Sequence, residues 1–170
     1  MSVWKRFHGH GLPSLITTNV TDRRPIFASH PAAEMLLQVI DEVRRETGFK
    51  LLAFVIMPDH MHLVLALAGQ TICGRVMQLI KGRFANRYNR SAGQTGRLWQ
   101  ERYHERALRS ERELVAAIEY VHQNPVKAGM VRDAECFLWS SANPTQVTDL
   151  DDWLSGQKPA WGTEAAPASG

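Results

Sequence analysis

The chain has 170 residues, 44% of them apolar, which is enough for one compact domain with a real core and too few for a large multi-domain enzyme. Twenty Lys and Arg against seventeen Asp and Glu give a formal charge of +3, a balance that by itself says little about partners. Cys73 and Cys136 stand far apart without CxxC spacing, and no apolar run approaches the roughly 18 residues of a membrane span, so a disulfide scaffold, a thiolate zinc site and a membrane protein are all disfavoured.

Taken in chain order, the start MSVWKRFHGHG carries charge and histidine where a secretory signal needs an apolar run, and a cytoplasmic protein is expected. The apolar and Thr-rich stretch from Leu12 to Val20 predicts a first strand, which DRRP then breaks. Ser29-His30-Pro31 marks a helix start, Met35, Leu36, Val39, Ile40 and Val43 recur at helical spacing, and Thr47-Gly48 closes the segment. Residues 50–57 and 60–67 are dense apolar runs separated only by Pro58 and Asp59, the pattern of two adjacent antiparallel strands. Thr71 is placed to cap a second helix with Ile72, Val76, Ile80 and Phe84 on one side. After the SAGQTG loop, Leu98 to Leu108 alternates imperfectly and predicts a fourth strand. Ser110 and Glu113 form a capping box for a last helix with Leu114, Ala117, Ile118 and Val121 inward, which Asn124-Pro125 is expected to end. Strand, helix, strand, strand, helix, strand and a further helix is the α+β, ferredoxin-like split βαβ order with an antiparallel sheet and one added C-terminal helix.

Charge is unevenly spread. From Arg75 to Arg109 basic residues are opposed only by Glu101 and Glu105, whereas the stretch after Asn143 is acidic and proline-containing. Residues 1–142 are therefore expected to form the functional domain and residues 143–170 an acidic tail, with Trp153 and Trp161 arguing that part of it docks. Arg83, Arg87, Arg90, Arg97 and Arg102 are the candidate nucleic-acid contacts, for phosphate positioning rather than base reading. Lys5 and Arg6 are candidates for an N-terminal arm.

His60 and His62 lie two apart at the start of a strand, so both imidazoles face the same side of the sheet and can share a divalent metal, while an ordinary turn and a polar core edge would use them equally well. Tyr120 and Asn124 lie one turn apart on the last helix. A tyrosine is a covalent nucleophile when its phenol is activated, and the Asn124 oxygen would serve as a third ligand, although a tyrosine beside an apolar stripe is commonly a core-edge residue. Tyr88 and Tyr103 are rivals without a ligand one turn away, and His122 falls on another side of the helix.

The run AFVIMPDHMHLVLAL resembles the signature of the smallest HUH-type, single-tyrosine transposases, and IEYVHQNPVKAGMV followed by FLWSS resembles that of the REP-associated tyrosine transposases in particular. The resemblance spans roughly residues 10 to 142. It implies His60 and His62 as the metal pair, Asn124 as the third ligand, Tyr120 as the nucleophile, and Mg²⁺ or Mn²⁺ as the ion. It implies as substrate a palindromic repeat folded as a single-stranded DNA hairpin, cut through a 5′-phosphotyrosine link, by a monomer with no obligate protein partner. The family often has asparagine where this chain has Asp59, which would serve the first imidazole as an acceptor or simply close the turn. His104 would assist at the phosphate or occupy the surface. Two other functions fit the same residues: a non-cleaving binder of structured DNA or RNA, and a metal-dependent phosphodiesterase that uses water.

Overall fold

The computed structural model describes residues 12–155. Its sheet has four strands, β1 (Ser14–Asn19), β2 (Lys50–Met57), β3 (His60–Ala66) and β4 (His104–Ala107), in the order β2-β3-β1-β4 with every neighbouring pair antiparallel. Helices α1 (His30–Thr47) and α2 (Cys73–Ala92) supply the two crossovers, and α3 (Glu111–Lys127) follows the last strand. The expected split βαβ arrangement is thus present, with helices flanking both faces of the antiparallel sheet.

Alternation along the strands sets the layers. Ile16, Phe54, Ile56, Met61, Leu63 and Leu65 turn to one face and pack with Leu36, Val39, Ile40, Val43, Val76, Ile80 and Phe84 of α1 and α2. Val55, Met57, Val64 and Ala66 turn to the other and meet Leu114, Ala117 and Val121 of α3. Pro58-Asp59 closes β2 onto β3, with Met57 paired to His60. Gly48 ends α1 at φ 73°, a left-handed position that glycine occupies without steric cost, and its N–H reaches the Arg44 carbonyl.

Four local expectations are corrected. Thr71 does not cap α2: its hydroxyl donates to the Thr47 carbonyl, the N-cap is Ile72, and Ile72 is exposed rather than inward. The fourth strand is only His104–Ala107, because Trp99 is drawn into the aromatic cluster of Phe27 and Phe84 and donates its indole N–H to the Lys81 carbonyl, leaving one isolated bridge to Val20. Asn124-Pro125 does not end α3, which runs to Lys127 with Pro125 inside it. Pro125 is buried and only two residues remain to the helix end, so the lost hydrogen bond is offset by apolar packing and little helix is left to be disrupted. Ile118 is only partly buried.

The FLWSS run has a structural use. Residues 139–141 lie along the outer edge of β2, where Ile56 N–H donates to the Trp139 carbonyl, Ser140 bridges Val55, and Ser141 N–H donates to the Phe54 carbonyl. Farther on, Asp149 accepts from Leu51 N–H and from Arg44, and its own N–H returns to the Leu51 carbonyl. That edge is therefore closed to further pairing. Trp153 is buried beside Leu52 and Leu114, so the described part of the acidic stretch packs on the domain, whereas Trp161 lies outside the described residues. Trp153→Ala is expected to lower stability by about 3 kcal/mol in urea unfolding; a loss below about 0.5 kcal/mol, the range of a neutral surface change, would mean that the packing is inconsequential.

Candidate functional site

The face of the sheet that carries α3 is apolar at one end and polar at the other. Across one row, Thr17 of β1 stands between His62 of β3 and His104 of β4; in the next, Asn19 stands opposite His60. Directly opposed residues of antiparallel strands share a face, so this end gathers three histidines, a hydroxyl and an amide.

His62 is 3% exposed and held at both ring nitrogens. Its Nδ1 lies 2.8 Å from Thr17 Oγ1, and its Nε2 lies 3.2 Å from Asn124 Nδ2. Burial first, then the positive fields of His60 and Arg23, pushes His62 down to about 4, so at neutral pH it is an uncharged imidazole with a lone pair to give. His60 Nδ1 donates to Asp59 Oδ1 at 2.6 Å. The other Asp59 oxygen lies 2.8 Å from Arg23 Nε. Burial works against the Asp59 carboxylate, but the His60 hydrogen bond and the Arg23 charge outweigh it and hold the group below its ordinary range. Asp59 lies in the β2–β3 turn and accepts from the imidazole. A carboxylate on one ring nitrogen leaves the other as the donor, the usual arrangement behind a metal-ligating histidine.

Tyr120 reaches this cluster from α3. Its ring meets His62 edge-on at 5.2 Å, the His62 and His60 rings meet edge-on at 4.9 Å, and Lys127 Nζ lies 5.8 Å from the Tyr120 ring centre. Tyr120 is 42% exposed and open to an incoming molecule. Because α3 continues through Pro125, Asn124 stays one turn beyond Tyr120 and both point to the sheet's polar end. The rivals do not: Tyr88 stacks on Phe84 and Tyr103 packs on the same core, across the sheet from His62. Burial, with the neighbouring Cys73 and Glu105, also pushes Tyr103 up to about 12, which makes it a poor nucleophile. His122 points away, with Nε2 2.7 Å from Ser141 Oγ.

Among the described residues no three His, Cys, Asp or Glu side chains converge to hold a metal. The donors present are two imidazole nitrogens and the Asn124 amide, whose oxygen replaces its nitrogen on a half-turn. That N/O set, with each imidazole already oriented from behind, fits a divalent cation that keeps some of its water or substrate oxygens.

The arginines divide. Arg83 and Arg87, expected at a nucleic-acid surface, lie on α2 across the sheet from Tyr120 and are engaged: Arg83 pairs with Glu46, and Arg87 makes two bonds to Glu42 at 2.8 and 2.6 Å. The sequence could place them on a polar stripe but not on which side of the sheet. Arg87→Ala is expected to cost less than about 1 kcal/mol of stability and to leave DNA affinity unchanged in a titration, as for an exposed ion pair; tenfold weaker binding would return α2 to the interface. Arg97 lies 3.9 Å from Glu101, while Arg90, Arg102 and His104 are exposed. Arg106, two residues after His104 on β4, shares its face, and sequence reasoning passed over it. Also missed were Thr17 and Asn19, whose only signal was a Thr/Asn alternation on the first predicted strand, and Arg23, in the DRRP segment that follows it. Lys5 and Arg6 lie outside the described residues.

Among the described residues no helix is long and apolar enough to cross a membrane. Residues 14–124 match the family of IS200-like transposases. A REP-associated tyrosine transposase of Escherichia coli (strain K12) is 28% identical over 142 residues, covering 83% of this chain and 82% of that protein. A putative REP-associated tyrosine transposase of Haemophilus influenzae is 27% identical over 118 residues, 62% of this chain and 66% of that one. Among solved structures, a REP-associated tyrosine transposase bound to a REP hairpin superposes with a TM-score of 0.68 at 28% identity, covering 83% of this chain and 82% of that one. A putative transposase from Deinococcus radiodurans shares the fold, with a TM-score of 0.51 at 21% identity over 67% of this chain and 91% of that one.

Proposed function

This chain belongs to the IS200-like transposases, on their REP-associated tyrosine branch, and from that premise we propose that it is a single-stranded DNA endonuclease and strand transferase acting on palindromic hairpins through Tyr120. The observation that carries the reading is the packing of Tyr120 against His62, with Asn124 3.2 Å from the same imidazole. One candidate metal-ligand set and one exposed tyrosine meet within a single chain, which favours a monomer that works in cis.

In this reading the Tyr120 oxygen attacks a DNA phosphorus. The bond to the 3′ oxygen breaks, that oxygen leaves as a 3′-hydroxyl after taking a proton, and the phenolic proton is released to solvent. The 5′ end stays joined to Tyr120 as a phosphodiester, so the cut can be resealed by a 3′-hydroxyl without an external energy source. His60, His62 and Asn124 would hold Mg²⁺ or Mn²⁺, which when bound neutralises charge on the scissile phosphate and fixes its orientation. Thr17 and Asp59 hold the two imidazoles by their Nδ1 atoms, and the Nε2 of His62 is turned to Asn124. Lys127 sets a cation beside the nucleophile. Residues 1–142 carry this chemistry, with exposed Arg97 and Arg102 as DNA contacts, Arg90 set aside with Arg83 and Arg87 on α2, and His104 as an auxiliary beside the scissile phosphate.

The test is to incubate the purified chain with a labelled palindromic hairpin bearing a single-stranded foot. Cleavage with Mg²⁺ or Mn²⁺ that stops on addition of EDTA and returns with excess metal is expected. Tight hairpin binding without cleavage at any metal concentration would contradict the endonuclease reading and favour a binding module.

A further inference from the structure

The turn after β1 holds an arginine that the tyrosine chemistry leaves unused. Thr21–Arg23 is a 3-10 turn in which two successive non-glycine residues, Asp22 at φ 56° and Arg23 at φ 54°, take left-handed backbone. Such positions are disfavoured for residues with a Cβ and persist where their surroundings impose them. Here the turn is clamped by Val20 N–H to the Asp59 carbonyl at 2.9 Å, Thr21 N–H to the Leu98 carbonyl at 2.9 Å and Arg23 N–H to the Val20 carbonyl at 3.0 Å.

The consequence is the placement of one side chain. Arg23 Nε lies 2.8 Å from Asp59 Oδ2, and Nη1 donates to Asn19 Oδ1, the residue opposite His60. The Arg23 side chain is nevertheless 50% exposed, and its Nη2 has no hydrogen bond among the described residues. Two of its nitrogens are therefore spent on orientation, and one edge of a rigid, always-charged fork is left to bind an anion. Successive contacts connect Arg23 through Asp59, His60 and His62 to Tyr120. Arg23 and the nucleophile are the two ends of this chain of contacts, so a strand that follows it with its scissile phosphate at Tyr120 would bring a flanking phosphate to Arg23.

We propose that Arg23 binds a phosphodiester next to the scissile one and so positions the single strand along the histidine row. The proposal rests on the tyrosine reading above for which phosphate is scissile, but its test reads binding alone. In a Tyr120→Phe background, which prevents turnover, a fluorescein-labelled hairpin with an unpaired foot is titrated at several salt concentrations, and a series of oligonucleotides each carries one neutral methylphosphonate in the foot. Arg23→Gln is expected to weaken binding by about tenfold and to reduce the salt slope by about 0.7, the value for one phosphate contact on a single strand. At one foot position the methylphosphonate should weaken the parent by a similar factor and have no further effect on Arg23→Gln. Arg23→Lys, which keeps the charge and loses the fork, should retain the salt slope with part of the affinity.

The proposal is overturned if every methylphosphonate costs both proteins the same and the salt slope of Arg23→Gln is unchanged. Arg23 would then be only a brace for Asp59, seen as lost Mn²⁺ affinity or lower thermal stability. Should Arg23→Gln fail to fold, the methylphosphonate series on Arg23→Lys decides the matter: a foot position whose neutralisation costs the parent about tenfold and Arg23→Lys markedly less upholds the proposal, and an equal cost to both proteins at every position overturns it. Absence of cleavage by the Tyr120 protein would instead contradict the endonuclease reading and leave these binding results standing.

Discussion

Tyr120→Phe keeps hairpin affinity within about twofold of the parent and lowers strand cleavage by on the order of 10³-fold or more, the scale expected when a nucleophile is removed. The substitution takes away one oxygen and leaves the ring, so the edge-on packing against His62 at 5.2 Å is preserved and the fold has no reason to move. Binding energy comes from charge along the strand, which the variant retains. A gel-shift titration and a denaturing gel on the same preparation separate the two effects. Cleavage surviving at a tenth of the parent rate would place the nucleophile elsewhere, on water or on another residue.

His62→Ala acts on the opposite partner of the reaction. His62 is the best-held group of the site, buried, fixed at Nδ1 by Thr17 and at Nε2 by Asn124, and kept neutral by its surroundings. Removing it takes one imidazole from a set of three donors and lets the Asn124 amide turn. Mn²⁺ affinity, followed by the electron paramagnetic resonance of free Mn²⁺, is expected to fall by more than about 100-fold, beyond the loss seen when only an outer-shell partner is removed. Cleavage should fall below detection while hairpin binding persists. Unchanged Mn²⁺ affinity would contradict the assignment of His62 as a ligand.

What was legible in the sequence was whatever depended on local periodicity. The apolar runs on either side of Pro58-Asp59, the stripe of α1 and the capping box at Ser110 are short-range patterns, and the order of elements followed from them. The capping box is half as expected: Ser110 accepts from Glu113 N–H, while Glu113 reaches the N–H of Arg109 rather than that of Ser110. The fourth strand was overlong because Trp99 joins a long-range aromatic cluster that no window of sequence contains. Pro125 was read as a helix end because propensity speaks only of lost hydrogen bonds, not of the core a buried ring can join.

The candidate site divides along the same line. His60 with His62, and Tyr120 with Asn124, were each visible as pairs because two residues on a strand and four on a helix return to one face. That the pairs meet depends on α3 folding back over β3, a matter of tertiary packing. Thr17 and Arg23 were invisible for the same reason: their partners His62 and Asp59 are brought to them by the β1–β3 register and by a strained turn. Arg83 and Arg87 looked like a basic surface because their partners Glu46 and Glu42 lie on another helix.

The central claim is that one tyrosine of three becomes covalently joined to DNA, and peptide mapping tests it directly. The chain is incubated with the hairpin and Mg²⁺, the DNA is trimmed by nuclease, and the protein is digested with trypsin. Cleavage after Arg112 and Lys127 releases residues 113–127, ELVAAIEYVHQNPVK, in which Tyr120 is the only tyrosine. The account predicts that this peptide carries the mass of a phosphonucleotide and that those containing Tyr88 and Tyr103 do not; a modified Tyr88 or Tyr103 peptide, or cut DNA with no modified peptide at all, would contradict it.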